Sequence, residues 1–415
     1  VLKINDYLLH SLKPIFLEKP QKTSHQSSKL AFFTHKLDTY GIGRVLFNLA
    51  VGFATQGWQI DIVVSEKSSD CHFQFPENVN LVVLSTPRRA SDLSIAGLFE
   101  FTHYLKQAKP KAVIAFTHYN NEIAILAKYL SGQNTKVIVS DHTILSETTK
   151  VAVRKTRRLI PKIARWLYPL ADARIAVSQA IQQDLAKIIH LSPDHIQVIY
   201  NPIIEPKIFN QSKAPIDHPW FTAKDRPIIL AIGRLAYEKD FRTLIHAFAK
   251  VNQQIPSRLV ILGEGREQEQ LLRLISELQL TEDVLFPGFV ENPYAYIAKT
   301  DLLTVSSRWE GLSNVVIEAL AFQLPIVSTQ CGGPAEILNH GEYGTLVPIG
   351  DALAMSQAIV ETLQQGKPQI PESWLTQFTL SAAVFRYLTV ISEAVGETSP
   401  PQQNVQPTPM VIKTL

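Results

Sequence analysis

The stretch SSRWEGLSNVVIEALAFQLPIVS, residues 306–328, poses a chemical question. It reads as strand, tight loop, short helix and strand, with Ser313 and Asn314 as N-cap candidates. A helix N-terminus offers N–H groups and positive partial charge, a setting that suits phosphate. Yet Glu310 and Glu318, with seven residues between them, bracket that same loop and first helical turn. Two carboxylates repel the anion that the helix end attracts, so the ligand must offer them something other than phosphate.

Other stretches carry chemistry of their own. In AIGRLAYEKDFRTLIHAF a strand ends at Ile232, and Arg234 and Lys239 follow in the loop before a helix. Two cations so placed can clamp a diphosphate, Arg as a planar fork and Lys as a point charge, though a solvated loop reads the same way. In FFTHKLDTYGIGRVLFNLA, Gly41 and Gly43 begin a helix and allow a phosphate close to the backbone. A dinucleotide site would use the same glycines with Glu66 as its ribose acid, but Leu46 stands where a third glycine belongs. LVILGEGREQ reads as a structural turn, and Val290 follows a strand where backbone could meet a base edge. His35, His118 and His142 each end a strand, and His142, between Asp141 and Thr143, is the candidate for a functional role.

Residues 150–165 hold seven Lys and Arg, and no acid occurs from 148 to 171. Leu159, Ile163, Trp166, Leu167 and Leu170 follow helical spacing beside that charge. Such a helix either packs its apolar stripe into the core or lies on anionic lipid. Asp-x-Asp, metal-spaced His or Cys, a Walker loop and a Gly-x-Ser-x-Gly elbow are all missing from the sequence, so no metal site is expected.

These residues need elements to hold them. Residues 1–28 read as an extension or linker, and from Leu30 apolar runs alternate with amphipathic segments. Two sets of about six strands predict two doubly wound α/β domains: 29–205, and 206–371 after a Pro-rich boundary near 201–226. A helix over 372–395 is expected to return to the first domain, and 396–415 reads as a disordered tail. Ligands of such sheets sit beyond the strands' carboxyl ends, here a cleft between domains. A net charge of +3 argues against nucleic acid as a partner. Two cysteines and no run long enough to span a bilayer favour the cytoplasm, with peripheral attachment to its membrane left open.

Taken in order, GIGRVLFNLA, SDHT, GRLAYEKDFRTLIHAF, LVILGEGREQEQL, the long run from LFPGFVENPY to GGPAEIL, and GTLVP resemble the retaining glycosyltransferases of family 4, with the two-domain GT-B fold. The resemblance spans roughly 30–390 and is densest over 228–350. It resolves the carboxylate question. It implies that Glu318 accepts hydrogen bonds from the nucleotide ribose and that Glu310 holds donor-sugar hydroxyls beside the reacting carbon. The phosphates would go to Arg234, Lys239, Gly41 and the backbone of Gly311, Leu312, Ser313 and Asn314, with Val290 at the base and His142 placing sugar or acceptor. Two positions depart from the family pattern: Tyr40 replaces a glycine, and Ser313 a frequent proline.

The resemblance implies transfer of a hexose or N-acetylhexosamine, with a UDP-sugar the favoured donor, to a glycan or polyprenyl-linked acceptor, without metal or other cofactor and with retained configuration. Cell-envelope polysaccharide synthesis is the expected setting. A sugar-nucleotide epimerase on the same scaffold and a silent glycan-binding subunit are the alternatives.

Overall fold

The computed structural model describes residues 29–38, 41–66, 73–84, 95–151 and 158–397. The 1–28 extension and all of the expected tail beyond Glu397 lie outside the described residues.

The first sheet has seven parallel strands: β1 (Lys29–Lys36), β2 (Gln59–Glu66), β3 (Val79–Val83), β4 (Ala112–Phe116), β5 (Lys136–Asp141), β6 (Ala173–Ala176) and β7 (Gln197–Val198), in the order β3-β2-β1-β4-β5-β6-β7. Fully buried runs such as AVIAF at β4 are what a strand covered on both faces requires. The second sheet has six: β8 (Ile228–Ile232), β9 (Arg258–Leu262), β10 (Val284–Gly288), β11 (Leu302–Val305), β12 (Ile326–Thr329) and β13 (Thr345–Val347), in the order β10-β9-β8-β11-β12-β13. Helices cover both faces of each sheet. One core cluster runs from Phe32 in the first sheet through Tyr200, Ile203 and Ile204 of the linker to Leu230 in the second. The order reverses between β1 and β4 and again between β8 and β11. Loops leaving strands at such switch points diverge and open a crevice.

Two expectations need correction. The Pro-rich boundary is not all linker, because Pro206–Gln211 and Pro219–Thr222 are short helices with proline in the first turn, where its missing N–H costs nothing. Residues 372–395 are not one helix either. Glu372–Thr376 ends, Leu380–Val395 begins, and between them the Phe378 carbonyl accepts from the N–H groups of Ile203 and Ile204 at 2.9 and 3.0 Å. That pairing fixes where the chain crosses back. The second helix lies on Gly41–Thr55: Gly52 faces Val384 and Leu380 so closely that a Cβ there would sit 2.6 Å from Val384 Cγ2.

Candidate active site

The loops after β8 and β11 flank the switch point of the second sheet, and they are laced together. Ser306 donates to the Lys239 carbonyl at 2.8 Å, the Arg308 N–H to the Glu238 carbonyl at 2.8 Å, and the Arg308 guanidinium meets Asp240 at 2.9 Å. The Gly263-Glu-Gly265 turn after β9 supports them from below. A Cβ at Gly263 would lie 2.0 Å from the Gly233 carbonyl and one at Gly265 2.2 Å from that of Leu235, so both positions need glycine for backbone-to-backbone contact.

This lacing delivers Lys239 to Glu310. Lys239 Nζ lies 2.9 Å from Glu310 Oε1, and the Ser307 hydroxyl donates to the same oxygen at 2.5 Å. Burial alone would push the Glu310 carboxyl up, but the Lys239 charge and the Ser307 hydrogen bond hold it below the ordinary value. Arg234 is not at this point: it is mostly exposed and paired with Glu238.

The helix Asn314–Ala321 follows. Ser313 occupies the N-cap position but its side chain makes no capping bond, and Asn314 instead accepts from Asn201 Nδ2 at 2.9 Å. Glu318 is one turn inside and 8 % exposed, held by the Tyr294 hydroxyl at 3.2 Å and by Arg44 at 3.6 Å, whose guanidinium also stacks over the Tyr294 ring. Burial raises the Glu318 carboxyl, with Arg44 and Tyr294 opposing. Arg44 belongs to the first domain. The sequence reading passed over it, since an arginine in a first helical turn is ordinarily solvated; its place directly after the Gly41–Gly43 loop was the signal.

The first domain meets the donor loop closely. Ser178 donates to the Gly311 carbonyl at 2.6 Å, while a Cβ at Gly311 would stand 2.5 Å from the His142 carbonyl. Glu336 sits at the N-terminus of the helix Gln179–Ile189: both its oxygens accept from the Gln179 N–H at 2.9 Å, and the Tyr200 hydroxyl donates to it at 2.7 Å. A carboxylate from one domain thus caps a helix of the other. Sequence reading missed this also, because Glu336 lies inside the unremarkable GGPAEI.

His142 is 8 % exposed, with Nε2 3.1 Å from the Ser140 hydroxyl and Nδ1 buried without a hydrogen-bond partner. Burial lowers its pKa to about 3, so it is neutral at physiological pH. Next to it, burial lifts Asp141 to about 7 and Glu122 to about 8, and the Tyr168 hydroxyl and Asn121 Nδ2 donate to Asp141 at 3.2 and 3.3 Å. Gly41 opens its helix at φ 50° with no described residue near a Cβ, whereas at Gly43 a Cβ would meet the Asp38 carbonyl at 1.9 Å. Gly43 is therefore required by contact and Gly41 by its left-handed backbone, and Gly41 also leaves room beside it among the described residues. Val290 is half-buried beyond β10, four residues before Tyr294. Glu66, the dinucleotide alternative's acid, is half-exposed 3.8 Å from His35 and apart from these groups. Among the described residues, no three His, Cys, Asp or Glu side chains gather to hold a metal ion.

So built, the crevice presents acceptor-only carboxylates and cations from both domains. The profile described as Glycosyltransferase Family 4 matches residues 39–204, and that described as Glycosyl transferases group 1 matches 226–365. An N-acetylgalactosamine-N,N'-diacetylbacillosaminyl-diphospho-undecaprenol 4-alpha-N-acetylgalactosaminyltransferase from Campylobacter jejuni is 31 % identical over 348 residues, 82 % of this chain and 91 % of that protein. This chain belongs to the family 4 glycosyltransferases. The N-acetyl-alpha-D-glucosaminyl L-malate synthase of Bacillus anthracis is 24 % identical over 377 residues, covering 86 % of this glycosyltransferase and 97 % of the synthase. Among solved structures, Anabaena HepE in complex with UDP superposes with a TM-score of 0.69 at 18 % identity, over 88 % of this chain and all of that one. The glycosyltransferase therefore has the GT-B fold.

Gly311→Ala should force the donor loop away from His142 and lower transferase activity by at least tenfold, while Gly41→Ala, uncrowded but strained at φ 50°, should cost about 1 kcal/mol and lower the melting temperature by a few degrees; calorimetry and turnover on the two variants check this. His142 has a folded pKa well below its unfolded value, so below about pH 6.5 the unfolded chain takes up a proton that the folded one refuses. Between pH 6 and 4 the wild type should lose about 1.4 kcal/mol more stability per pH unit than His142→Gln, as read by denaturant titration.

Proposed function

We propose that this glycosyltransferase transfers a hexose or N-acetylhexosamine from a UDP-sugar to a lipid-linked or glycan acceptor with retained anomeric configuration and without a metal ion. The observation that carries this reading is the pairing of half-buried Lys239 with buried Glu310, 2.9 Å apart, in one crevice with Glu318 and Arg44. Glu318 would take the ribose hydroxyls, and Glu310 the sugar hydroxyls next to the anomeric carbon. Lys239 would then lie between Glu310 and the diphosphate and balance both negative charges. Arg234 reaches the phosphates by leaving Glu238, which a surface pair permits at little cost. Together with Gly41 and the backbone of Gly311 to Asn314, these cations stabilise the charge that grows on the departing diphosphate, the task a divalent ion performs elsewhere.

The acceptor hydroxyl attacks on the face the diphosphate leaves, and a donor phosphate oxygen takes its proton. His142 stays neutral throughout, and its ring would turn to bring Nδ1, buried and unpartnered among the described residues, to a hydroxyl of sugar or acceptor. Its work is positional, with Val290 at the base edge. The UDP choice draws on the UDP complex of HepE, and the lipid-linked acceptor and envelope setting on the Campylobacter relative, whose name specifies a diphospho-undecaprenol carrier. No observation favours the epimerase or the silent scaffold.

The test is calorimetric titration with UDP-, GDP- and ADP-sugars in the presence of a chelator. One UDP-sugar should bind, and Glu318→Ala and Lys239→Ala should each weaken it at least tenfold. Binding that requires a divalent ion, or that prefers GDP or ADP, would contradict the proposal.

A further inference from the structure

The basic segment 150–165 has no part in the donor chemistry. One reading of its sequence packs the apolar stripe of Leu159, Ile163, Trp166, Leu167 and Leu170 into the core, and the structure does otherwise. In the helix Ile160–Leu167 and the 3-10 turn Tyr168–Leu170, the inward residues are Ile160, Ala164 and Tyr168, none more than 3 % exposed. The outward stripe is Arg158, Leu159, Lys162, Arg165, Trp166 and Leu170, with Trp166 75 % exposed. Ile163 and Leu167 lie between, half-buried, and residues 152–157 of the basic segment lie outside the described residues. Tyr129 and Leu130, both more than half exposed at the end of the helix His118–Ser131, widen the apolar patch, and the Tyr129 hydroxyl donates to the Leu170 carbonyl at 3.3 Å.

The patch is rigidly held, and among the described residues no acid pairs with Arg158, Lys162 or Arg165. The Arg174 guanidinium donates to the carbonyls of Tyr168, Pro169 and Ala171 at 2.8–2.9 Å, which pins the turn below Trp166. The next acid along the chain, Asp172, is taken by Lys128 at 2.6 Å and by the Val137 N–H at 2.7 Å, so it does not neutralise the stripe. An exposed indole among Lys and Arg, with no acid on the stripe, matches the headgroup layer of an anionic bilayer. The ring seats at the interface, the long basic stems lie along it, and the charges meet lipid phosphates.

We propose that this outward face of residues 158–170, with Tyr129 and Leu130, docks the glycosyltransferase on an anionic phospholipid membrane. Among the described residues no helix is long and apolar enough to cross a membrane, so the attachment is to the surface. Tyr168, the inward member of the same turn, donates to Asp141 beside His142, so the docked turn is tied directly to the acceptor-side wall of the cleft. The inference does not depend on the donor or acceptor assigned above.

The experiment is co-sedimentation of the full chain with vesicles of phosphatidylcholine alone and of phosphatidylcholine with phosphatidylglycerol in equal parts, at low and at molar salt. Binding should require the anionic lipid and fall with salt. Neutralising two cations in Lys162→Gln/Arg165→Gln should weaken partitioning roughly thirty-fold, and Trp166→Ala about tenfold. Thermal stability and nucleotide-sugar binding should be unchanged in both variants, which separates a lost surface from a lost fold or donor site. Equal binding to neutral vesicles, binding that the variants leave intact, or no binding would overturn the proposal. A dimer abolished by Trp166→Ala without vesicle binding would assign the face to a second copy, and preference for single-stranded nucleic acid over vesicles would assign it there.

Discussion

A carboxylate can be buried only if something pays back its lost hydration, and the candidate site is organised around doing so for Glu310. Lys239 and Ser307 supply the compensation, and neither reaches Glu310 by itself. Lys239 arrives because the loop after β8 is tied to the loop after β11 by Ser306 and Arg308, and because two glycines let the β9 turn press against it from below. Ser307 in turn has its carbonyl held by the Thr329 hydroxyl at 2.6 Å. The ion pair is therefore the visible end of a support that involves four neighbouring strands, β9, β8, β11 and β12. A charge set so firmly suits catalysis by preorganised electrostatics, which needs groups that do not relax as the reaction proceeds.

The second dependency is between domains. The Gly311 carbonyl is gripped by Ser178, Glu336 caps a helix of the first domain, and Arg44 reaches Glu318 across the cleft. Glycines at 311, 332 and 333 make this possible, since Gly332 and Gly333 pack onto the carbonyls of Glu310 and Gly311 at distances where a Cβ would stand 2.7 Å away. The donor loop is thus enclosed by both sheets. A ligand in this crevice touches both domains, so its binding energy is coupled to their closure.

Much of this was legible in the sequence. Strands announced themselves as runs of Val, Ile and Leu, and their alternation with amphipathic segments gave two doubly wound sheets. The Glu310–Glu318 spacing and the Arg234–Lys239 loop located the crevice. What escaped were features set by distant partners. The break at residues 377–379 joins a local N-cap, the Thr379 hydroxyl accepting from the Ala382 N–H, to the distant pairing of Phe378 with Ile203 and Ile204. Arg44 and Glu336 look like ordinary helix residues until the other domain is in place, and the two-residue β7 is too short to carry a pattern. In the 158–170 segment, periodicity revealed that faces exist but not which one packs: the smaller set, Ile160 and Ala164, fits against neighbouring helices, while Trp166 is left outside. Arg234 lies in the same loop as Lys239, yet its side chain turns to Glu238.

In the proposed reading, Glu310, Lys239, Glu318 and Arg44 form one nucleotide-sugar site at the meeting of the two domains. A crystal structure of the protein soaked with a UDP-sugar tests it most directly. The ribose hydroxyls should lie on Glu318, the diphosphate on Lys239 with Arg234 turned in from Glu238, and sugar hydroxyls on Glu310. A nucleotide bound elsewhere, or one in this crevice with its phosphates remote from Lys239 and its ribose remote from Glu318, would contradict it.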